Sequence, residues 1–137
     1  MLKIFKKNSS IILPIRALRC SMEIIYQKEN ICTKKMTNLI VCSDYYIRKL
    51  NRSYRNIDKV TDVLSFPFNE EDFLGEIYIS SNRTEIQARR YGVSFKNEFI
   101  RLTIHGLLHL IGYNHVKKQE RNIMEEREEF YLSLLMI

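Results

Sequence analysis

The stretch HGLLHLIGYNH, residues 105–115, holds His105, His109 and His115, the only histidines among 137 residues. Residues four apart share one helix face, with Cβ atoms about 5–6 Å from each other. His105 and His109 can therefore reach one metal ion from one helix. Gly112 can adopt the left-handed backbone that stops a helix, turning the chain so that His115 approaches from the side. The chain must then fold so that this helix ends in a cleft. Three neutral imidazoles with an open fourth position describe a catalytic Zn²⁺ site, since structural sites usually close with four ligands. Such an ion would lower the pKa of a bound water to about 7. A lone histidine here would read as a polar filler on an amphipathic helix. Three at H-x₃-H-x₅-H, with none elsewhere, read as ligands.

The metzincin proteases share this spacing in HExxHxxGxxH, where a Glu after the first His is the general base. Here that position is Gly106. Glycine cannot accept the proton of an attacking water, so peptide hydrolysis by that route lacks its base. A zinc metallopeptidase is the rival that the spacing supports and Gly106 opposes. A carboxylate introduced at 106 is expected to face the substrate beside the metal.

The rest of the chain alternates short strands and helices. LKIFKK reads as a first strand, and a helix starts at Pro14 and runs through IRALRCSMEIIYQKEN. TNLIVCS is a strand, after which Ser43 or Asp44 caps a helix DYYIRKLNRSYRN. VTDVLSFPF closes at Pro67, as an edge strand would. FLGEIYIS is the next strand, and Ser80 or Ser81 caps the helix after it. Helices are expected over 82–91, 95–111 and 118–135, separated at Gly92 and Gly112. With strands weighted to the first half and helices to the second, the fold class is α+β: one small mixed sheet packed with helices, a zincin-like metal-binding helix among them. The chain reads as a single domain, 1–137. The EEREE run at 125–129 reads as a solvated helix face. Thr61 and Ser65 could hydrogen-bond near the metal, and Val63, Leu64 and Phe66 read as strand packing. Tyr45, Tyr46, Tyr54 and Tyr91 could stack unpaired bases, although helix-spaced tyrosines more often pack.

No apolar run approaches the roughly eighteen residues that span a bilayer, so no membrane partner is expected. The basic start MLKIFKKNSSIILPIRALRC lacks a long apolar segment and a small-residue cleavage site, and is read as folded protein. Cys20, Cys32 and Cys42 are odd in number and form no CxxC, so neither a disulfide framework nor a thiolate metal site is indicated, which suits a reducing cytoplasm. Residues 1–60 carry 13 Lys/Arg against 4 Asp/Glu, a local net charge of +9 within a total of +6. That imbalance suits a polyanionic partner.

HGLLHLIGYNH resembles the H-G-x-L-H-L-x-G-Y-D-H signature of the YbeY family of zinc-dependent, single-strand-specific endoribonucleases. YRNIDKVTDVLSFPF at 54–68 is similar to that family's Y-R-x-x-D-x-x-T-D-V-L-S-F-P block, and LGEIYIS at 74–80 to its L-G-D-I-x-I strand. Asn114 stands where Asp is usual, and Glu76 replaces Asp in the strand. The resemblance implies one zinc ion held by His105, His109 and His115, with Arg55 as the catalytic arginine. It implies single-stranded RNA as substrate, a role in 16S rRNA 3′-end maturation and ribosome quality control, and the small ribosomal subunit or its assembly factors as partners. No DNA is expected, and a cytoplasmic location is. A non-catalytic RNA-binding assembly factor with a structural zinc is the remaining alternative.

Overall fold

The computed structural model describes residues 1–7 and 9–135. Its elements run β1 (Leu2–Lys7), α1 (Ile15–Lys28), β2 (Met36–Cys42), α2 (Asp44–Arg55), β3 (Val63–Pro67), β4 (Phe73–Ser80), α3 (Ser81–Tyr91), α4 (Phe95–Leu110) and α5 (Lys118–Leu135). The architecture is α+β around one mixed four-stranded sheet of order β1-β2-β4-β3. β1 and β4 both pair with β2 in parallel, while β3 pairs with β4 antiparallel. Parallel neighbours need a crossover, which explains why α1 and α2 interrupt the strand-rich first half. β3, the strand that closes at Pro67, lies at the sheet edge.

Alternation along the strands divides the core between two faces. Leu39 and Val41 of β2 and Ile77 and Ile79 of β4 join the main core with residues of α1, α4 and α5. On the other side Cys42 and Leu64 pack with Ile47 of α2, flanked by Tyr46, Phe66 and Tyr78. β4 is therefore covered on both faces, which is why its residues are mostly buried.

Local chemistry sets the helix ends. Ser43, Ser80 and Ser94 accept from the backbone N–H groups of Tyr46, Arg83 and Asn97, each satisfying a donor that the helix leaves free. The cap before α3 is thus Ser80, and Ser81 is the first helical residue. α4 stops one residue short of the expected 111, with Ile111 as its cap. The Gly112 N–H donates to His109 O and the Tyr113 N–H to Leu108 O, the paired closure of a Schellman stop. Gly112 has φ 107°, a backbone state that favours glycine, so the chain turns back where the sequence required it. Among the described residues, no helix is long and apolar enough to cross a membrane.

Candidate metal centre and cleft

The Schellman stop of α4 builds the site. His105 and His109 lie on the last two turns, and the loop leaving Gly112 returns His115 to them. Ring centroids are 4.7 Å apart for His105 and His109, 5.6 Å for His105 and His115, and 4.7 Å for His109 and His115. One nitrogen from each ring lies within 4.8 Å of one from each other ring. His105 and His109 are half-buried and His115 is exposed.

Hydrogen bonding decides which nitrogens can bind. His109 Nδ1 lies 3.0 Å from Tyr113 O, a carbonyl that can only accept, so Nδ1 carries the proton. His105 Nδ1 contacts Glu128 Oε1, and an ionised carboxylate likewise only accepts. With both Nδ1 atoms committed to these acceptors, the Nε2 atoms are the ones left to bind, and they face each other at 3.2 Å. A tetrahedral ion with Zn–N distances of about 2.0–2.1 Å would place two ligand nitrogens roughly 3.3 Å apart. The donor set and its spacing therefore fit a cation between the rings. Burial, followed by repulsion from His105 and His115, pushes the His109 pKa down to about 4, which keeps its ring neutral at ordinary pH, the form a metal ligand needs.

The loop is anchored from outside. The Tyr113 hydroxyl donates to Glu29 Oε1 at 2.8 Å, and Arg127 Nη2 donates to Glu29 Oε2 at 2.5 Å. The Tyr131 hydroxyl also donates to Glu29 Oε2. Burial alone would raise the Glu29 pKa, but the hydrogen bonds from Tyr131, Arg127 and Tyr113 outweigh it and hold the carboxyl below its ordinary range. Asn114 Oδ1 accepts from the Val116 N–H at 2.9 Å, a role that needs an acceptor oxygen and no charge.

The three histidines open into a cleft of about 620 Å³ that also carries Arg55, Tyr54, Asp62, Ser65 and Asn114 in its lining. Arg55 ends α2 and is exposed, fifty residues from the first histidine in sequence but sharing this cleft. The Ser65 hydroxyl donates to Gly106 O at 2.9 Å and ties β3 to the ligand helix. Asp62 is occupied by structural contacts: Oδ1 accepts from the Val63 N–H at 2.8 Å and Oδ2 from Gln87 at 3.2 Å. Thr61 donates to Asp62 at 3.4 Å and has no closer role.

Two expectations are corrected here. Glu128, inside the EEREE run, is not solvated: it is buried and holds His105. Arg127 in the same run is committed to Glu29. The signal that could have found Glu128 was the spacing Met124, Glu128, Tyr131, which puts the carboxylate on the buried stripe of α5. The second correction concerns Gly106. A Cβ there would lie 2.6 Å from Ile77 Cγ2 and 3.2 Å from Ser65 Oγ, so a side chain would start into the sheet.

A mixed sheet packed with helices, one of them bearing histidines and stopping at a glycine beneath a cleft that holds an arginine, defines a small α+β scaffold with a zincin-like helix whose three histidines could hold a metal ion. The profile of the family described as Endoribonuclease YbeY matches residues 7–136. The Endoribonuclease YbeY of Desulforamulus reducens is 40% identical over 133 residues, covering 90% of this chain and 87% of that protein. That of Aliarcobacter butzleri is 44% identical over 115 residues, covering 79% and 82%. The solution structure of a Thermotoga maritima protein is similar with a TM-score of 0.66 and 32% identity, over 96% of this chain and 87% of that one. The chain belongs to the Endoribonuclease YbeY family.

Proposed function

We propose that this chain is a zinc-dependent, single-strand-specific endoribonuclease of the cytoplasm, acting in 16S rRNA 3′-end maturation and ribosome quality control. The observation that carries the reading is the pair of Nε2 atoms at 3.2 Å, joined by His115, in one cleft with Arg55. Zinc held by His105, His109 and His115 would supply Lewis-acid polarisation of a phosphoryl oxygen and a water of lowered pKa. Glu128 and the Tyr113 carbonyl hold the protons of His105 and His109 on Nδ1, so that Nε2 stays free. The Arg55 guanidinium pairs with the scissile phosphate and neutralises charge that develops on its oxygens. Single-stranded ribosomal RNA is the substrate, and the small ribosomal subunit or its assembly factors are the partners. The basic first half of the chain suits both.

The peptidase alternative finds less support. Gly106 offers no base, and Asp62, the carboxylate in the cleft lining, already spends both oxygens on structural contacts. The test incubates purified protein of measured metal content with single-stranded RNA and with a peptide library, each with and without chelator. RNA cleavage that chelator abolishes and zinc restores is expected. Chelator-sensitive peptide hydrolysis without RNA cleavage would install the peptidase. RNA binding without any cleavage would install the assembly factor.

A further inference from the structure

Arg55 has a neighbour whose position the phosphate contact alone does not explain. Tyr54 and Arg55 are the last two residues of α2, before Asn56 ends it in the left-handed conformation at φ 57°. Both line the cleft of the three histidines. Tyr54 is 70% exposed. Its ring is nevertheless positioned, meeting Phe66 edge-on at 5.6 Å, while Phe66 meets Tyr78 at 5.7 Å and Tyr78 meets Tyr46 at 6.3 Å. Tyr78 and Phe66 belong to the packing between α2 and the sheet, so the row of rings is rooted in the core and ends at the cleft. Arg55 at that end is exposed, as are Arg52 and Lys59 close by in sequence.

We propose that Tyr54 is a stacking platform for an unpaired nucleobase of the strand whose phosphate Arg55 holds. The proposal rests on the RNA reading above and adds a base subsite to it. Base and phosphate of one nucleotide are a ribose apart, and consecutive residues at one helix end supply the two contacts. Aromatic stacking accepts any base, because every base has a π-face. It requires that the base be free, which a duplex forbids and a single strand allows. Tyr45 is the internal comparison. It lies nine residues earlier on α2, which turns it to the opposite face, and it is 72% exposed but absent from the cleft.

The experiment measures binding of a short fluorescent single-stranded RNA, with metal removed by chelator so that the strand is not consumed. Tyr54→Ala and Tyr54→Leu should each weaken binding by on the order of tenfold, the range expected for one stacked base. Tyr54→Leu keeps an apolar contact to Phe66, so its loss reports stacking rather than folding. Tyr54→Phe should stay within about twofold of wild type, because it keeps the ring. Tyr45→Ala should not change binding. Moving a single abasic nucleotide along the strand should reveal one position at which wild type and Tyr54→Ala bind equally. Unchanged binding by Tyr54→Ala overturns the platform, as does an equal loss against a wholly abasic strand. Wild-type protein that cleaves RNA while both Tyr54 variants bind normally overturns this proposal alone. Wild-type protein that neither binds nor cleaves the strand overturns both readings.

Discussion

At the scale of single residues, a ligand is only as good as the group behind it. Glu128 fixes the His105 tautomer and raises the basicity of Nε2, and loss of such a partner typically lowers metal affinity 10–100-fold. Glu128→Ala should therefore weaken zinc binding by about that factor in a competition titration, with the overall fold retained. Glu128→Gln still offers an acceptor oxygen and should recover part of the loss. Equal zinc affinity in both variants and wild type would reduce Glu128 to packing. Arg55 behaves in the opposite way. Among the described residues it makes no hydrogen bond to a histidine, so Arg55→Ala should leave zinc content unchanged while lowering kcat/KM for RNA by on the order of a hundredfold or more, as losing one charge-stabilising donor does. Arg55→Lys should rescue little, since an ammonium cannot reproduce the planar fork. Wild-type cleavage by the alanine variant would return Arg55 to the exposed surface of α2. These residues were unequally legible. The histidines stood out because their spacing on a helix is itself the geometry. Glu128 was hidden among four charged neighbours, and only its register against Met124 and Tyr131 marks it as buried.

At the scale of elements, the ligand helix depends on how closely α4 approaches the sheet. Gly106 permits that approach, with Ile77 of β4 occupying the space a Cβ would need and Ser65 of β3 bonded to the Gly106 carbonyl. From spacing alone, Gly106 was the missing base of a protease, and a carboxylate there was expected to face the substrate. The contact with Ile77 assigns it a packing duty that one sequence cannot display, because the partner is 29 residues away on another element. Gly106→Ala should destabilise the fold by about 1–3 kcal/mol, the usual cost of forcing a methyl into a packed site, and lower Tm accordingly. Gly106→Glu should lose stability, zinc and RNA cleavage together, and gain no peptidase activity. A glutamate variant as stable as wild type would show that the sheet yields. The helix ends were far easier to read, because serine caps and glycine stops act within a few residues of themselves.

At the scale of the whole molecule, Glu29 joins parts of the chain that sequence keeps far apart. It lies just beyond the last turn of α1, accepts from Tyr113 in the ligand loop 84 residues later, and from Arg127 and Tyr131 on α5 about a hundred residues later. Its side chain is only 9% exposed. No local pattern could reveal such a junction, since its members lie far apart in sequence, at the end of α1, in the ligand loop and on α5. Its consequence for stability can be signed. The folded-state pKa of Glu29 lies below its ordinary value of 4.5, because the three donors stabilise the carboxylate more than burial penalises it. A depressed carboxyl contributes stability that is fully present above its unfolded pKa and is lost as pH falls through the lower, folded one. In Glu29→Gln that contribution is absent at every pH, and Arg127 is left without its anion. The variant should therefore melt below wild type at neutral pH, and the gap should narrow as thermal melts are repeated at progressively lower pH and the wild-type carboxylate is itself neutralised. The His115 loop should loosen with it, so zinc affinity at neutral pH should fall although Glu29 touches no ligand. A melting gap that stays constant across the acid range would mean that Glu29 acts through shape alone, and that its charge contributes nothing to holding the loop.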